Sequence, residues 1–117
     1  MAQLRAGHGQ VGTAGTKERL LADYTHPDGT AKADIRAAWV AVTVDLVETS
    51  GELVVGGSDV VAASGSQAGM RVGVATAVQN NKIAIIEAPP GGHISPNDIW
   101  VDATASGLDF TFAFMEL

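Results

Sequence analysis

The stretch WVAVTVDLVE, residues 39–48, predicts a β-strand and decides the fold class. Aliphatic side chains recur at every second position from Val40 to Leu46, with smaller or more polar residues between them. A period of two built from β-branched residues is typical of a strand that buries one face. We therefore expect Trp39 to lie on the opposite, outward face of this strand.

The segment that follows predicts a hairpin. The residues TSG at 49–51 have the composition of a turn, residues 52–55 form an apolar return strand, and GG at 56–57 ends that strand. We expect the strand at 39–48 to pair with this return strand.

A second hairpin is predicted further along the chain. Apolar residues alternate from Met70 to Val78, and Asn80-Asn81 then marks a turn. Residues 82–87 form a short strand rich in isoleucine, which a segment of prolines and glycines ends.

The C-terminus predicts a third hairpin. Residues 99–103 alternate, a turn follows at 105–107, and the last strand places all three phenylalanines of the protein, Phe110, Phe112 and Phe114, on one face. Burying each ring contributes roughly 1.5 to 3 kcal/mol by area. We expect this face to determine the register of the C-terminal hairpin.

Short strands joined by Gly, Pro and Asn turns, about seven in all, predict an all-β fold, an antiparallel β-sandwich or barrel. Residues 17–24 form either a short strand or one helical turn, and HPDG at 26–29 is a turn. Residues 1–16 are rich in glycine and poor in large apolar side chains, which predicts a flexible N-terminal arm. Residues 17–117 are then expected to form a single β-sandwich domain.

Charge and composition exclude several function classes. The formal net charge is −6 and no basic stripe is interleaved with aromatic residues, so nucleic-acid binding is not expected. No apolar run approaches the roughly 18 residues of a membrane span, so a membrane partner is not expected. The chain has no cysteine, which excludes disulfides and thiolate metal sites.

GHGQVG at residues 7–12 fits the G-x-G-x-x-G pattern of dinucleotide-binding loops. In that pattern a buried strand precedes the loop and a helix N-terminus follows it. Only residues 1–6 precede it here, Gln3 and Arg5 suit a central strand poorly, and TAGT at 13–16 opens no convincing helix. We therefore expect no cofactor.

Titratable side chains and serines form no recognisable catalytic or metal site. His8, His26 and His93 lack the spacing of a helical metal pair and are expected in exposed loops. No serine occupies a G-x-S-x-G elbow. An enzyme would need a concave site with converging polar groups, and none can be assembled from this sequence.

Three aspartates allow two interpretations. Asp98, Asp102 and Asp109 could meet on adjacent strands as a carboxylate cluster for Ca²⁺ or for acid–base chemistry. Asp98 and Asp102 share the face opposite Ile99 and Val101, so a solvated face is the simpler interpretation.

Three long segments resemble small virion structural proteins of tailed bacteriophages: VGTAGTKERL, WVAVTVDLVETSGELVVGGSDVVAASG and APPGGHISPNDIWVDATASGLDFTFAFME. The residues that carry the resemblance are TAGT before the first strand, the V-x-G-G-S-x-V segment at 54–60 and the P-G-G turn at 90–92. IWVDA at 99–103 is the most specific piece, and an aromatic strand after a glycine completes the pattern.

The resemblance implies a head-decoration or head-stabilising protein with a sandwich of the tulip-like or jelly-roll-like type. It implies a virion location, no enzymatic activity, and two partners: the major capsid protein and further copies of the chain itself. We expect the copies to assemble as a trimer or as another closed ring. Residues 66–86 depart from the family pattern by an added Val- and Ile-rich hairpin, which offers a sheet edge for pairing between subunits.

Five residues are the candidate interface. Trp39 and Trp100 lie opposite the aliphatic face of their strands. They are either outward interface anchors, or they cover the ends of the sandwich or pack under a loop. Leu4, Arg5 and His8 belong to the N-terminal arm, which would order itself on the capsid.

A carbohydrate- or receptor-binding module of a tail or fibre is the alternative function. In that interpretation outward Trp39 and Trp100, with Asp98 and Asp102 nearby, form a platform for a sugar.

Overall fold

The computed structural model of the protein describes residues 2–63, 66–76 and 81–117. These residues form eight strands and two 3₁₀ turns. The strands are β1 (Gln3–Val11), β2 (Glu18–Arg19), β3 (Ala37–Val44), β4 (Glu52–Gly56), β5 (Met70–Gly73), β6 (Ala84–Glu87), β7 (Trp100–Ala103) and β8 (Leu108–Glu116). The 3₁₀ turns are Lys32–Asp34 and Pro96–Asp98.

The strands form two antiparallel sheets that pack face to face. Sheet A has the order β1-β8-β3-β6, and sheet B has the order β2-β7-β4-β5. Each sheet ends at two edge strands and does not close on itself or on the other sheet. The predicted antiparallel β-sandwich is therefore confirmed, and the barrel alternative is not formed.

The inward faces of both sheets share one hydrophobic core. β3 buries Val40, Val42 and Val44, as the period-two pattern predicts. The three phenylalanines of β8 are buried beside these valines, with neighbouring ring centroids 6.3 to 6.4 Å apart. Sheet B closes the core from the opposite side with residues such as Leu53 and Val101.

The predicted hairpin between β3 and β4 is wrong. β3 ends at Val44, because Asp45 accepts hydrogen bonds from the N–H groups of Val47 and Glu48 at 3.0 Å in a tight turn that exposes Leu46. The chain then crosses to sheet B, where β4 pairs with β5 and β7. Because the two strands occupy opposite layers, the apolar faces of both can meet in one core.

The other two predicted hairpins are also wrong. β5 and β7 belong to sheet B, whereas β6 and β8, which follow them in the chain, belong to sheet A. Of the described strands, β4 and β5 alone are consecutive in the chain and share a sheet. Val78 and Asn80 of the predicted second hairpin lie outside the described residues.

The prediction of a flexible arm over residues 1–16 is wrong for residues 3–11. These residues are β1, which pairs with the whole of β8 from Gln3 opposite Glu116 to Val11 opposite Leu108. Val11 is fully buried in the core. The sandwich domain therefore begins at β1 and not at residue 17, because the phenylalanine-bearing strand pairs with it along its full length.

The glycines of the GHGQVG stretch have a packing role. Gly7 lies opposite Phe112 and Gly9 opposite Phe110, and a Cβ atom at either glycine would stand 2.6 Å from the ring of its partner. The absence of a side chain thus lets the rings of β8 lie across β1. The resemblance to a nucleotide-binding loop is accounted for by this strand.

Candidate interaction surfaces

The outward face of sheet A, here called the open face, is flat and apolar at its centre. Three alanines form a row across adjacent strands, since Ala6 of β1 and Ala41 of β3 both lie opposite Ala113 of β8. Ile85 of β6 continues the row and is 52% exposed. No other part of the described chain forms a second layer over these residues, so the alanines are the floor of a shallow groove of ≈ 580 Å³.

Two pairs of polar side chains on the open face hydrogen-bond within the sheet. The hydroxyls of Thr43 and Thr111 are 2.7 Å apart and hydrogen-bond to each other. Nearby, the side-chain amide of Gln10 donates to Asp109 at 2.9 Å. Covering polar groups that already have hydrogen-bond partners with a second surface costs little free energy, because no donor or acceptor is left unpaired.

Three of the five candidate interface residues lie together on the open face. Leu4 and His8 point outward from β1, and Leu4 is 60% exposed. Trp39 occupies the outward face of β3 opposite Glu87 of β6 and is partly buried. The structure places these side chains on one surface, and their role in an interface stays a prediction.

Arg5 and Trp100 lie elsewhere. Arg5 projects inward from β1, and its Nε atom donates to Glu116 at 2.8 Å. Trp100 belongs to sheet B and stacks under two cations, with Arg19 Cζ 4.6 Å and Lys17 Nζ 5.6 Å from the ring centroid. The predicted sugar platform is not assembled, because Trp39 and Trp100 belong to different layers of the sandwich.

The outward face of sheet B is covered by the chain itself. The loop after β4 returns over the sheet, and its Val60 and Ala62 pack on Val54, with Trp100 at the border of this small cluster. Gly69 lies so close to sheet B that a Cβ atom on it would be 2.7 Å from the side chain of Val54. Trp100 therefore packs against the border of this covering loop and stays partly buried, and its role in an interface stays a prediction.

Asp102 holds the covering loop, and the prediction that it lies on a solvated face is wrong. Its side chain accepts hydrogen bonds from the N–H groups of Gly15 at 3.0 Å, Ala62 at 3.0 Å and Ala103 at 2.8 Å. The residue is only 2% exposed. The apolar run VVAA at 60–63 was the available sequence signal, since such a run is unusual for an exposed loop.

The three aspartates do not form a carboxylate cluster. Asp98 is exposed near Arg19, Asp102 is buried in sheet B, and Asp109 lies on the open face of sheet A. Within the described part of the chain, no group of three or more histidine and carboxylate side chains could hold a metal ion.

His26 is buried, which corrects the prediction of an exposed loop histidine, whereas His93 is exposed and His8 lies on strand β1. The Nε2 atom of His26 is 2.8 Å from Glu116 and its Nδ1 atom is 2.7 Å from Asp28. The ring can donate to both carboxylates only when both nitrogens carry protons. Nothing in the sequence indicated this cluster of His26, Asp28 and Glu116, because a turn already explains the residues HPDG at 26–29.

The same cluster perturbs three pKa values. The hydrogen bond to Glu116 raises the pKa of Arg5, and hydrogen bonds from Thr30 lower the pKa of Asp28. Burial raises the pKa of Tyr24, whose hydroxyl is buried without a partner in the described structure. The cluster ties both terminal strands to the turn at 26–29, which is a structural function.

No helix in the residues described has the length and hydropathy of a membrane span. Comparison of the chain with protein-family models, curated proteins and solved structures gives no match. The class of protein is therefore defined by the structure: a two-sheet antiparallel sandwich with one covered and one open outer face.

Proposed function

We propose that this chain is a non-enzymatic structural protein of a tailed-bacteriophage virion, a capsid-decoration protein that attaches to the head by its open face. Its partners in this proposal are the major capsid protein and other copies of the chain. The sequence resemblance suggests this class of protein, and the surface of sheet A supports attachment through a flat apolar contact.

The observation that carries the proposal is the difference between the two outer faces. On sheet B, Val54 is covered by the chain's own loop, which Asp102 holds in place, and Trp100 packs at the border of that loop. On sheet A, the described chain leaves Leu4 and Ile85 in solvent over an alanine floor. Exposed apolar patches of this kind mark sites of association on soluble proteins.

The shape of the open face fits a protein surface better than a small ligand. Small-molecule sites are clefts that enclose most of the ligand, whereas the groove on this face is shallow, with alanines and paired threonines along it. Strand spacing gives dimensions of about 20 by 25 Å, or roughly 500 Å². Larger side chains at the border, such as Trp39 and Ile85, are the kind of residue that dominates binding energy.

The test is co-sedimentation of the purified protein with capsids that lack it. Ala41→Glu places a charge at the centre of the open face, and we expect it to weaken capsid binding by about tenfold or more, since a buried unpaired charge costs well over 1.4 kcal/mol. Ala33→Glu, at an exposed position in the Lys32–Asp34 turn, is the matched control and should bind normally. Equal binding by both variants would remove the open face from the proposal, and absence of binding by the unmodified protein would refute the capsid function.

A further inference from the structure

The four sheet edges differ greatly in length. The edge strands β2, β5 and β6 contain two, four and four residues, whereas β1 contains nine. Proteins protect exposed edges with short strands, prolines, lysines or bulges. β1 contains neither proline nor lysine, and its register with β8 runs without a shift from Gln3 to Val11.

The hydrogen-bond ladder identifies which groups of β1 face outward. The N–H of Asp45 donates to the carbonyl of Asp109 at 3.0 Å, so the odd-numbered residues of β8 bond to β3. The even-numbered residues of β8 consequently bond to the odd-numbered residues of β1. The main-chain N–H and C=O groups of the even-numbered residues of β1 therefore point away from β8, off the free edge of the sheet. Within the described structure these groups have no hydrogen-bond partner in another loop or turn; the residues are Leu4, Ala6, His8 and Gln10.

We propose that two copies of the chain pair through β1, antiparallel and around a two-fold axis at Gly7. This register places Leu4 opposite Gln10 of the second copy and Ala6 opposite its His8. Four residue pairs with two hydrogen bonds each supply about eight main-chain bonds. The two A sheets then form one continuous eight-stranded sheet, and the free edge of β1 is removed.

The side chains of β1 suit a second copy. Gly7 would meet its own counterpart at the axis, where paired strands approach most closely and glycine adds no side chain. The residues brought opposite one another carry no like charges, since Arg5 would face Gly9 and is already bonded to Glu116. No acidic residue lies in β1, although the whole chain has a net charge of −6, so two copies of this strand do not bring acidic side chains together.

The pairing also doubles the area of open face that can bind a capsid, and in this respect the inference rests on the proposed function. A face of roughly 500 Å² is smaller than the ~800 Å² that each partner buries in a typical stable interface. Two faces joined at β1 present roughly 1,000 Å² on one continuous surface. The pair thus binds a lattice through an area that a single chain lacks.

Sedimentation equilibrium and amide hydrogen exchange of the full chain test the inference. We expect twice the chain mass of 12.0 kDa. We also expect slow exchange at both the odd and the even positions of β1, whereas a monomer would protect the odd positions alone.

His8→Pro removes an N–H that points off the edge, where proline is tolerated, and should give a folded monomer with fast exchange at Leu4, Ala6 and Gln10. His8→Ala keeps that N–H and should remain a dimer. Circular dichroism of both variants checks that the sandwich is folded. If His8→Pro does not fold, the amide exchange pattern of β1 in the unmodified protein still tests the pairing.

An unmodified monomer, a trimer, or a dimer whose even-numbered β1 amides exchange rapidly would each overturn the inference. The capsid assay separates it from the proposed function. A β1-paired dimer that does not bind capsids would refute the proposed function and leave the pairing intact. A monomer that binds capsids would refute the pairing alone.

Discussion

Gly7→Ala tests whether the glycines of β1 are present because aromatic rings lie across them. The added Cβ atom would stand 2.6 Å from Cζ of Phe112 and 2.9 Å from Cδ1 of Tyr24, and both rings are buried. Overpacking of this kind lowers the free energy of unfolding by about 1 to 3 kcal/mol. Alanine also reduces the backbone entropy of the unfolded chain, which raises the free energy of unfolding by about 0.4 to 1 kcal/mol. We expect a net loss of about 1 to 2 kcal/mol in the free energy of unfolding, or roughly 5 to 10 °C in Tm.

The assay is urea unfolding followed by tryptophan fluorescence at one fixed chain concentration, because self-association would change the apparent stability. Gly12→Ala is the matched control, since nothing lies within 4 Å of its added Cβ atom, and it should be neutral or slightly stabilising. Phe112→Leu in the Gly7→Ala background should recover part of the loss. Equal stability of Gly7→Ala and Gly12→Ala would refute the steric explanation.

Three further substitutions test the core and its polar contacts, each by urea unfolding. Phe112→Ala should cost about 3 to 5 kcal/mol, because a buried ring is lost from the shared core. Asp102→Ala should cost about 3 kcal/mol or more by leaving three backbone N–H groups without their acceptor, whereas Asp109→Ala, on the open face, should change stability little. Tyr24→Phe should be neutral or stabilising near pH 7, since the hydroxyl lacks a partner. The raised pKa of Tyr24 predicts that the wild type loses stability as the pH rises above 10, where the unfolded chain ionises first, and that Tyr24→Phe lacks this contribution.

The individual strands were predictable because each has a local pattern. The valines of β3 and the phenylalanines of β8 repeat with a period of two, and both sets are buried. β1 was missed because its inward positions include Gly7 and Gly9, which have no side chain to form a pattern. The rings that fill this space belong to residues more than 100 positions away in the chain.

A smaller part of the candidate surface was predictable. The outward position of Trp39 follows from the alternation in β3, whereas Leu4 and His8 were expected in a flexible arm, and only the structure shows that they share a face with Trp39. Asp102 occupies an equally outward position in β7, but the loop that contains Val60 and Ala62 covers it, and Trp100 packs at the border of that loop. Alternation specifies which side of a strand a residue is on, and it does not specify whether another segment lies over that side.

By itself, the sequence determined the all-β class, the core faces of the principal strands and the absence of thiol chemistry, since these depend on composition and on the period of neighbouring residues. Only the tertiary structure decided which strands pair, that one outer face is covered and the other open, and that β1 is a long free edge. Hydrogen bonds between strands are made by backbone groups common to almost every residue, so the choice of partner depends on how all the apolar faces are buried together.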